Sequence, residues 1–377
     1  MVERQLDDES GTGRPELSVV VCTYNRTKLL PASLDGLMSQ SILEKIEVIV
    51  IDDGSTQDTG RVVANYSVDF VALETNQGLS AARNVGIARA RAPIVAFIDD
   101  DVIVPPDWCE SLLQAWEEAP KGTCAIGGTV TVAEVTSFTQ RYLTHRNPLA
   151  PIELDVAHAK TFPERLRAYL RSESTPSVSI RPVYSIVGAN MSFARKALEE
   201  VGGFDPSIRF GGDEELVCVN LRRKFGDQSI LCYSSIEVAH HFDRRLRDTL
   251  RRARLYGYSN GRTWARNGGI PGLRPVGGLF VTSLVLTAPF SIPGAIVFSL
   301  LLPYAMWRRW VKASFEERNA EVIMYPLVAL AQELCSNVGF LMGWRTERRS
   351  KTSGYLRSEE EFDGLVALHN DENRPSS

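Results

Sequence analysis

Short runs of apolar, mostly β-branched residues recur in the first hundred positions of the chain, at 17–22, 46–51 and 94–98, with a weaker run at 69–73. Polar residues follow each run, and helical spacing of apolar residues comes next, for example at 29–39. Strands that are apolar throughout are typical of a sheet that is buried on both faces. The pattern therefore predicts an α/β fold, with a mostly parallel sheet and helices on both of its faces.

The middle of the chain is less regular between residues 130 and 181, and no helices are assigned there. Regular patterning returns at 184–194, and a helix predicted at 195–201 ends at a glycine pair. A further helix is predicted from Gly211 to Lys224. A strand-like run at 236–239 then leads into a pair of histidines.

The last third of the chain changes character. A basic helix is predicted at 244–266, and residues 276–307 contain no charged side chain. This uncharged stretch is long enough for one kinked spanning helix, but its central Pro-Phe-Ser-Ile-Pro favours a hairpin that enters one leaflet. The apolar segment 322–344 carries Gln332, Glu333 and Asn337, which favours an interfacial position or packing on a neighbour over free spanning.

The pattern predicts five regions along the chain. They are a flexible tail at 1–16, an α/β domain at 17–243, a basic helical linker at 244–275, a membrane-associated helical region at 276–345 and a polar tail at 346–377.

The chain of 377 residues has a net charge of -4, but nine arginines lie close together between 244 and 274. The uncharged stretch that follows them favours membrane lipid, and not nucleic acid, as the partner of this basic region. The six cysteines show no paired metal-ligand spacing, and residues 1–16 do not resemble a secretory signal. These features predict a membrane-associated protein whose α/β domain lies in the cytoplasm.

Three consecutive carboxylates, Asp99, Asp100 and Asp101, stand where the apolar strand 94–98 stops. Such a cluster repels itself, whereas a divalent cation accepts hard carboxylate oxygens as ligands. The alternative is an acidic turn that faces solvent. Because ligands of parallel sheets bind outside the carboxyl ends of the strands, we expect these acids to lie close to residues 23–26 and to Asp53.

Several motifs in this order resemble one known family, the inverting family 2 glycosyltransferases, which have the Rossmann-like GT-A fold of nucleotide-diphospho-sugar transferases. The motifs are Ser18–Arg26, Val50–Thr56, Asn76-Gln77-Gly78 with Ala82-Arg83-Asn84, Phe97–Asp101, Gly188-Ala189-Asn190 and Gly202-Gly203-Phe204-Asp205. The resemblance covers roughly residues 17–241 and implies transfer of a sugar from a nucleotide-diphospho-sugar donor to a glycan or lipid-linked acceptor.

The resemblance also implies a donor site. Tyr24 would lie against the nucleotide base, Asp53 would accept a ring N–H, and Arg83 would reach a phosphate or the base. The alternatives are a packed aromatic residue for Tyr24, a local turn for Asp53 and a solvated helix arginine for Arg83. The remaining residues expected at the donor are Thr23, Asn25, Arg26, Asp99, Asp100 and Asn190.

The first and third acids of the triple run match the Asp-any-Asp motif of the same family. Asp101 is therefore the expected main ligand of Mn²⁺ or Mg²⁺, and Asp99 is its partner, in contact with the ribose or with a metal-bound water. His240 is expected as a further ligand or phosphate contact, with a structural histidine as the alternative. The family's Glu-Asp pair, which supplies the catalytic base, matches Asp213-Glu214 in reversed order. Glu214 is then the catalytic base and Asp213 its neighbour. If the alignment with the family's pair is shifted by one residue, Asp213 takes the role of the base.

Two other functions are considered. A non-catalytic, membrane-bound scaffold that binds nucleotide sugars is suggested by the reversed acidic pair alone. A nucleotidyltransferase needs a glycine-rich loop after the first strand, and residues 22–28 contain no glycine.

Overall fold

The computed structural model describes residues 13–172, 179–209, 211–268, 272–316 and 318–353, so the predicted tails lie largely outside the described residues. The chain divides into two compact units. The first contains residues 1–135, 147–158 and 175–242, and the second contains 136–146, 159–174 and 243–377. The last segment of the second unit begins at residue 243, and two segments within residues 17–243 also belong to that unit.

The described part of the first unit contains ten strands in one mixed sheet. They are β1 Leu17–Thr23, β2 Ile46–Asp52, β3 Asp69–Ala72, β4 Ile94–Asp99, β5 Val102–Ile103, β6 Ala125–Val132, β7 Ile152–Glu153, β8 Ile180–Ser185, β9 Met191–Ala194 and β10 Ile230–His240. The strand order is β3-β2-β1-β4-β9-β6-β10-β8-β7, and β5 pairs with β10. The four strands at the β3 edge are parallel, as predicted.

The other half of the sheet is mixed, because β9 runs antiparallel to both β4 and β6. The segment predicted as one regular stretch at 184–194 is in fact the end of β8, a loop and β9. Two strands result because β8 pairs with β10, whereas β9 inserts between β4 and β6.

Helices cover the sheet of the first unit, and they are α1 Leu30–Met38, α2 Thr59–Val63, α3 Leu79–Arg89, α4 Trp108–Glu118, α6 Leu154–His158, α8 Arg195–Glu200 and α9 Asp213–Phe225. Helix α3 lies close against β1, because a Cβ atom on Gly86 would collide with the Val20 side chain. Phe97, Phe193 and Phe204 pack edge to face beneath these elements. This core fixes the strand ends at which the polar motifs stand.

The second unit is helical in its described part, with α5 Phe138–His145, α7 Phe162–Ser172, α10 Leu246–Asn267, α11 Pro275–Thr287, α12 Ile292–Met306, α13 Arg308–Glu316 and α14 Tyr325–Ser353. The uncharged stretch forms two helices, α11 and α12, that pack side by side as a hairpin. Ser283 donates a hydrogen bond of 2.8 Å to Ser299 across the pair. The structure thus has the hairpin and not one kinked helix.

A buried carboxylate joins four elements of this unit. Glu333 of α14 is 1% exposed and accepts hydrogen bonds from Arg146, from the Tyr169 hydroxyl and from the backbone N–H of Gly277 at the start of α11, at 2.9, 2.7 and 2.7 Å. These donors explain why the segments around α5 and α7 belong with the C-terminal helices. They also compensate the cost of burying the charge.

Helices α10 and α14 run parallel and pack through glycines on both helices. A Cβ atom on any of four glycines would collide with a backbone carbonyl oxygen of the other helix, and the four are Gly257, Gly261, Gly339 and Gly343. A spacing of four residues places each pair on one helix face, so the two backbones approach closely. Helix α14 continues past the predicted boundary at 345, where Glu347 pairs with Arg262 and Arg266.

Among the described residues, one helical segment is long and apolar enough to cross a membrane by length and composition, namely Ala320–Arg349. Its most apolar window is 44% buried inside the protein. As expected from its polar residues, this segment packs on neighbouring helices.

The helix crossing predicts a strong effect of one added methyl group. Gly261→Ala should lower the free energy of unfolding by about 2 kcal/mol or more, because the new Cβ meets the Phe340 carbonyl oxygen. Gly278→Ala is the matched control, since its Cβ would meet no heavy atom within 4 Å. The control should be neutral or stabilising by up to about 1 kcal/mol. Urea unfolding followed by circular dichroism measures both, and equal midpoints would contradict the close crossing.

Candidate active site

The polar motifs meet at one edge of the sheet, because the parallel strands β1, β2 and β4 end in register. Thr23 lies opposite Asp52, and Cys22 lies opposite Asp99. The backbone N–H of Asp53 donates to the Thr23 carbonyl at 2.9 Å, which ties the first two strand ends together. The expectation that these residues lie close together is correct.

Strand β10 brings a histidine to the acidic run. His240 pairs with Val102 of β5, and the backbone N–H of His241 donates to the Asp101 carbonyl at 3.0 Å. Ligand atoms of Asp99, Asp101 and His240 all lie within 4.8 Å of one another. The three residues predicted as metal ligands therefore form one cluster.

The donor set of this cluster fits Mn²⁺ or Mg²⁺. Carboxylate oxygens are the ligands that both ions prefer, and His240 adds one imidazole nitrogen. The Nε2 atom of His240 lies 3.1 Å from an oxygen of Asp101, so this nitrogen faces the carboxylates. Burial raises the pKa of Asp99, and the negative charge of Asp101 raises it further, so a bound cation would relieve the repulsion between them.

Asp101 and Asp100 both contact a cationic side chain, the guanidinium of Arg26. Its Nη1 atom lies 2.5 Å from Asp101 and 3.4 Å from Asp100. Asp100 also accepts a hydrogen bond of 2.7 Å from the Thr23 hydroxyl. Burial raises the pKa of Asp100 to about 7, although Arg26 opposes this shift. Asp100 is thus held by Thr23 and Arg26, apart from the three-residue cluster.

Arg83 connects the acidic run with the second acidic pair. Its guanidinium is buried, with Nη1 at 2.5 Å from Asp213 and Nη2 at 3.6 Å from Asp99. Nη2 also donates to the Gly188 carbonyl at 3.5 Å. Arg83 is therefore not a solvated helix arginine. It neutralises carboxylates that come from two distant parts of the chain.

The acidic pair begins α9, where Gly212 takes a left-handed conformation with φ +82°. A helix N-terminus stabilises negative charge, which favours acids at these positions. Asp213 is 1% exposed, and its Oδ1 atom has no hydrogen-bond partner among the described residues. Burial raises the pKa of Glu214 well above its ordinary value, the charge of Asp213 raises it further, and Arg83 lowers it. A carboxylate with such a raised pKa is a stronger base than an exposed glutamate.

The residues expected around the nucleotide base form a network of hydrogen-bonded turns. Asp53 accepts backbone N–H groups from Gln77 and Gly78, at 2.7 and 2.9 Å. Asn25 has φ +56° and accepts a hydrogen bond of 2.9 Å from the Thr56 N–H. Tyr24, which directly precedes Asn25, is half-buried. Local roles are thus present for Asp53 and Asn25, and their contacts with a base remain predictions.

Asn190, which directly precedes β9, joins β6, β10 and α4. Its amide donates to the carbonyls of Thr129 and Ile236 at 2.9 and 3.0 Å and accepts from the Trp108 indole at 3.2 Å. The residue is 2% exposed. Its expected place beside the donor sugar remains a prediction.

Sequence reasoning missed the pairing of Arg83 with Asp213 and that of Thr23 with Asp100. Arg83 and Asp213 are 130 positions apart, and Thr23 and Asp100 are 77 apart. No spacing rule connects residues over such distances. Both pairs arise only when strand ends and helix starts meet at the sheet edge.

Comparison with known proteins supports the family that the motifs suggest. Residues 18–202 match the family model of glycosyl transferase family 2. Glucosyl-dolichyl phosphate glucuronosyltransferase of Haloferax volcanii is 28% identical over 228 residues, which is 57% of this chain and 66% of that protein. Pre-mycofactocin glycosyltransferase of Mycobacterium tuberculosis is 30% identical over 257 residues, with 66% and 48% covered. Each match spans less than two thirds of the relative's own length.

A solved structure supports the fold. A mannosyltransferase from Pyrobaculum calidifontis, in complex with GDP-Man and Mn²⁺, is similar with a TM-score of 0.53 over 88% of each chain, at 18% sequence identity. The predicted α/β fold and the predicted family are both confirmed. On its motifs, its sheet and its family match, the chain carries a glycosyl transferase family 2 domain over residues 18–202 and has the GT-A fold.

Proposed function

We propose that the protein is a metal-dependent, inverting glycosyltransferase that acts at the cytoplasmic face of a membrane. It moves a sugar from a nucleotide-diphospho-sugar to a glycan or lipid-linked acceptor. The observation that carries the proposal is the joining of two acidic groups by Arg83, which puts a candidate cation site and a candidate base in one polar network.

Donor binding uses the strand ends. Tyr24 and Asp53 hold the base, while Asp99, Asp101 and His240 hold a divalent cation. When bound, this cation supplies positive charge that stabilises the departing diphosphate. Arg26 and Arg83 are two further cations for phosphate oxygens, since a guanidinium binds phosphate with paired N–H donors.

Inversion requires one base, which takes the proton of the acceptor hydroxyl while that oxygen attacks the anomeric carbon. Glu214 has this role because it is less buried than Asp213 and its carboxyl group is not paired with a guanidinium in the way that Asp213 is with Arg83. Asp213 then keeps Glu214 basic through its negative charge. If the alignment with the family's acidic pair is shifted by one residue, Asp213 is the base and Glu214 its neighbour.

The acceptor class is supported by one relative and by the helical unit. The Haloferax volcanii relative is named for transfer to a glucosyl-dolichyl phosphate, which is a lipid-linked sugar. An apolar, uncharged hairpin in the second unit is consistent with work at a membrane surface. Acceptors and lipids of this kind are therefore the first to test.

A panel of UDP-, GDP- and dTDP-sugars tests the proposed reaction. Purified protein should hydrolyse or transfer from at least one donor when Mn²⁺ or Mg²⁺ is present. Asp101→Asn should lower kcat/KM by a factor of about 10³ or more, because a charge-stabilising contact to the leaving group is lost. Turnover that is equal in the wild type and in Asp101→Asn, or equal with and without chelator, would rule the mechanism out.

Cation binding itself can be measured without turnover. Titration of the free protein with Mn²⁺, followed by electron paramagnetic resonance, should show one site that Asp101→Asn removes. Asp100→Asn is the matched control, since Asp100 bonds to Thr23 and Arg26 and stands outside the three-residue cluster. This control should keep its affinity for Mn²⁺ within about threefold. Loss of binding in both variants, or in neither, contradicts the assigned ligands.

The pH profile distinguishes the two acids. A base works when deprotonated, so kcat/KM should fall as pH drops through the raised pKa of Glu214. Asp213→Asn removes a negative neighbour, which should shift this acid limb to lower pH. Glu214→Gln should reduce kcat by a factor of about 10² to 10⁴. If Asp213→Asn abolishes turnover while Glu214→Gln keeps it, Asp213 is the base, and if both keep it, the protein is not a catalyst of this kind.

A further inference from the structure

We infer that the hairpin α11–α12 is the membrane element of this protein, that it enters one leaflet only, and that the long apolar helix α14 is its protein-bound support. The inference rests on the membrane association proposed above and adds which segment inserts, how deeply and with which lipids. The hairpin and α14 both lie in the second unit.

The apolar surface of the hairpin is exposed. Phe290, at the turn between the two helices, is 89% exposed, and Leu286 and Ile292 on either side are 65% and 66% exposed. Val285, Val297 and Leu301 extend the same surface along both helices. Residues 276–307 carry no charge, so nothing in this surface opposes transfer into hydrocarbon. An exposed apolar surface of this extent marks an interaction site.

The polar groups of the hairpin are satisfied internally, as a lipid environment requires. The hydroxyls of Thr282 and Thr287 donate to the helix carbonyls of Gly278 and Ser283, at 2.9 and 2.7 Å. Ser291 accepts the N–H of Gly294 and caps α12 at the turn. Hydroxyls that bond to the helix backbone in this way need no water as a partner.

The length of the helices limits how far the hairpin can enter the bilayer. With 13 and 15 residues, α11 and α12 are about 20 and 22 Å long at 1.5 Å per residue. The hydrocarbon core of a bilayer is about 30 Å thick, so neither helix can cross it. Because the helices pack side by side, both open ends of the hairpin lie on the same side of the membrane.

Cations mark the open ends at headgroup level. Arg274 directly precedes α11. Arg308 and Lys312 come after α12 and lie on one face of α13. All three side chains are exposed. Lys312 also forms an ion pair of 3.3 Å with Glu316, which water screens at this exposed position. Phe315, 76% exposed, lies one turn further on that face. Basic residues beside exposed aromatic ones are typical of a helix that lies in the interface, and the positive charge favours anionic phospholipids as the partner.

Helix α14 holds the hairpin from the protein side. Its Glu333 accepts the N–H of Gly277, and its Asn337 accepts the N–H of Arg274 and donates to the Arg274 carbonyl, at 2.7, 2.6 and 3.0 Å. The polar residues that interrupt the apolar pattern of α14 therefore fix the base of the hairpin. Because α14 carries a buried, ion-paired carboxylate and its most apolar window is 44% buried inside the protein, we assign this helix as the support of the hairpin.

Vesicle flotation of the full chain tests the inserted surface. The wild type should float with phosphatidylcholine vesicles and more strongly when phosphatidylglycerol is added. Phe290→Glu should reduce the bound fraction about tenfold, because a charge would enter hydrocarbon. Phe162→Glu is the matched control, since Phe162 is an exposed aromatic residue outside the hairpin. Asp101→Asn should float like the wild type, which separates a failure of this inference from a failure of the sugar-transfer proposal.

The charge contribution has its own variant. Arg308→Gln combined with Lys312→Gln should weaken binding to phosphatidylglycerol vesicles by about fivefold for each cation and leave binding to neutral vesicles unchanged. Circular dichroism spectra matching the wild type establish that each variant is folded. Equal flotation of Phe290→Glu and wild type overturns the inference. If Phe290→Glu floats normally but converts a dimer into a monomer, the surface is a contact between two copies.

Insertion depth decides between one leaflet and a full crossing. In the variant Phe290→Cys, a membrane-impermeant maleimide is added outside sealed vesicles or trapped inside them. Labelled peptides are identified by mass spectrometry, which separates the introduced cysteine from the six native ones. The introduced thiol should be protected from both reagents and become labelled after detergent is added. Labelling from inside means that the hairpin spans the bilayer, and labelling from outside means that it does not insert.

Discussion

Repulsion among buried acids at the sheet edge is the constraint on which the first unit depends. Five carboxylates, those of Asp99, Asp100, Asp101, Asp213 and Glu214, surround two guanidinium groups and one imidazole. Burial and the neighbouring negative charges raise the pKa values of Asp99, Asp100 and Glu214. Buried charges that lose a partner cost several kcal/mol, so each arginine here supports folding and chemistry together.

Under the proposed function, the excess of negative charge would also influence which ligands the site accepts. A diphosphate would be repelled by these acids, unless it arrives with a cation that the acids bind. Arg26 contacts Asp101, and Arg83 lies 3.6 Å from Asp99, so positive charge is present beside the acids. Under the proposed function, this arrangement would repel a bare diphosphate and favour a metal-bound nucleotide.

The second unit keeps an apolar surface exposed on a hairpin whose base is fixed by hydrogen bonds. Glu333 and Asn337 fix the base of the hairpin with directional hydrogen bonds, and the glycine crossing fixes α14 on α10. Apolar side chains near the turn are exposed within the described part of the chain. Rigid polar contacts at one end thus allow an exposed apolar end at the other.

The sequence by itself determined the parallel half of the sheet, the acidic run at a strand end and the uncharged stretch, because local periodicity and composition carry that information. Strand β4 was predicted to within one residue, since its apolar run is continuous and ends at a charged residue. Only the tertiary structure decided that β9 inserts between β4 and β6, that Arg83 pairs with Asp213, and that Gly261 contacts Phe340. These contacts join residues far apart in the chain, and their energies come from burial and close approach, which no local pattern records.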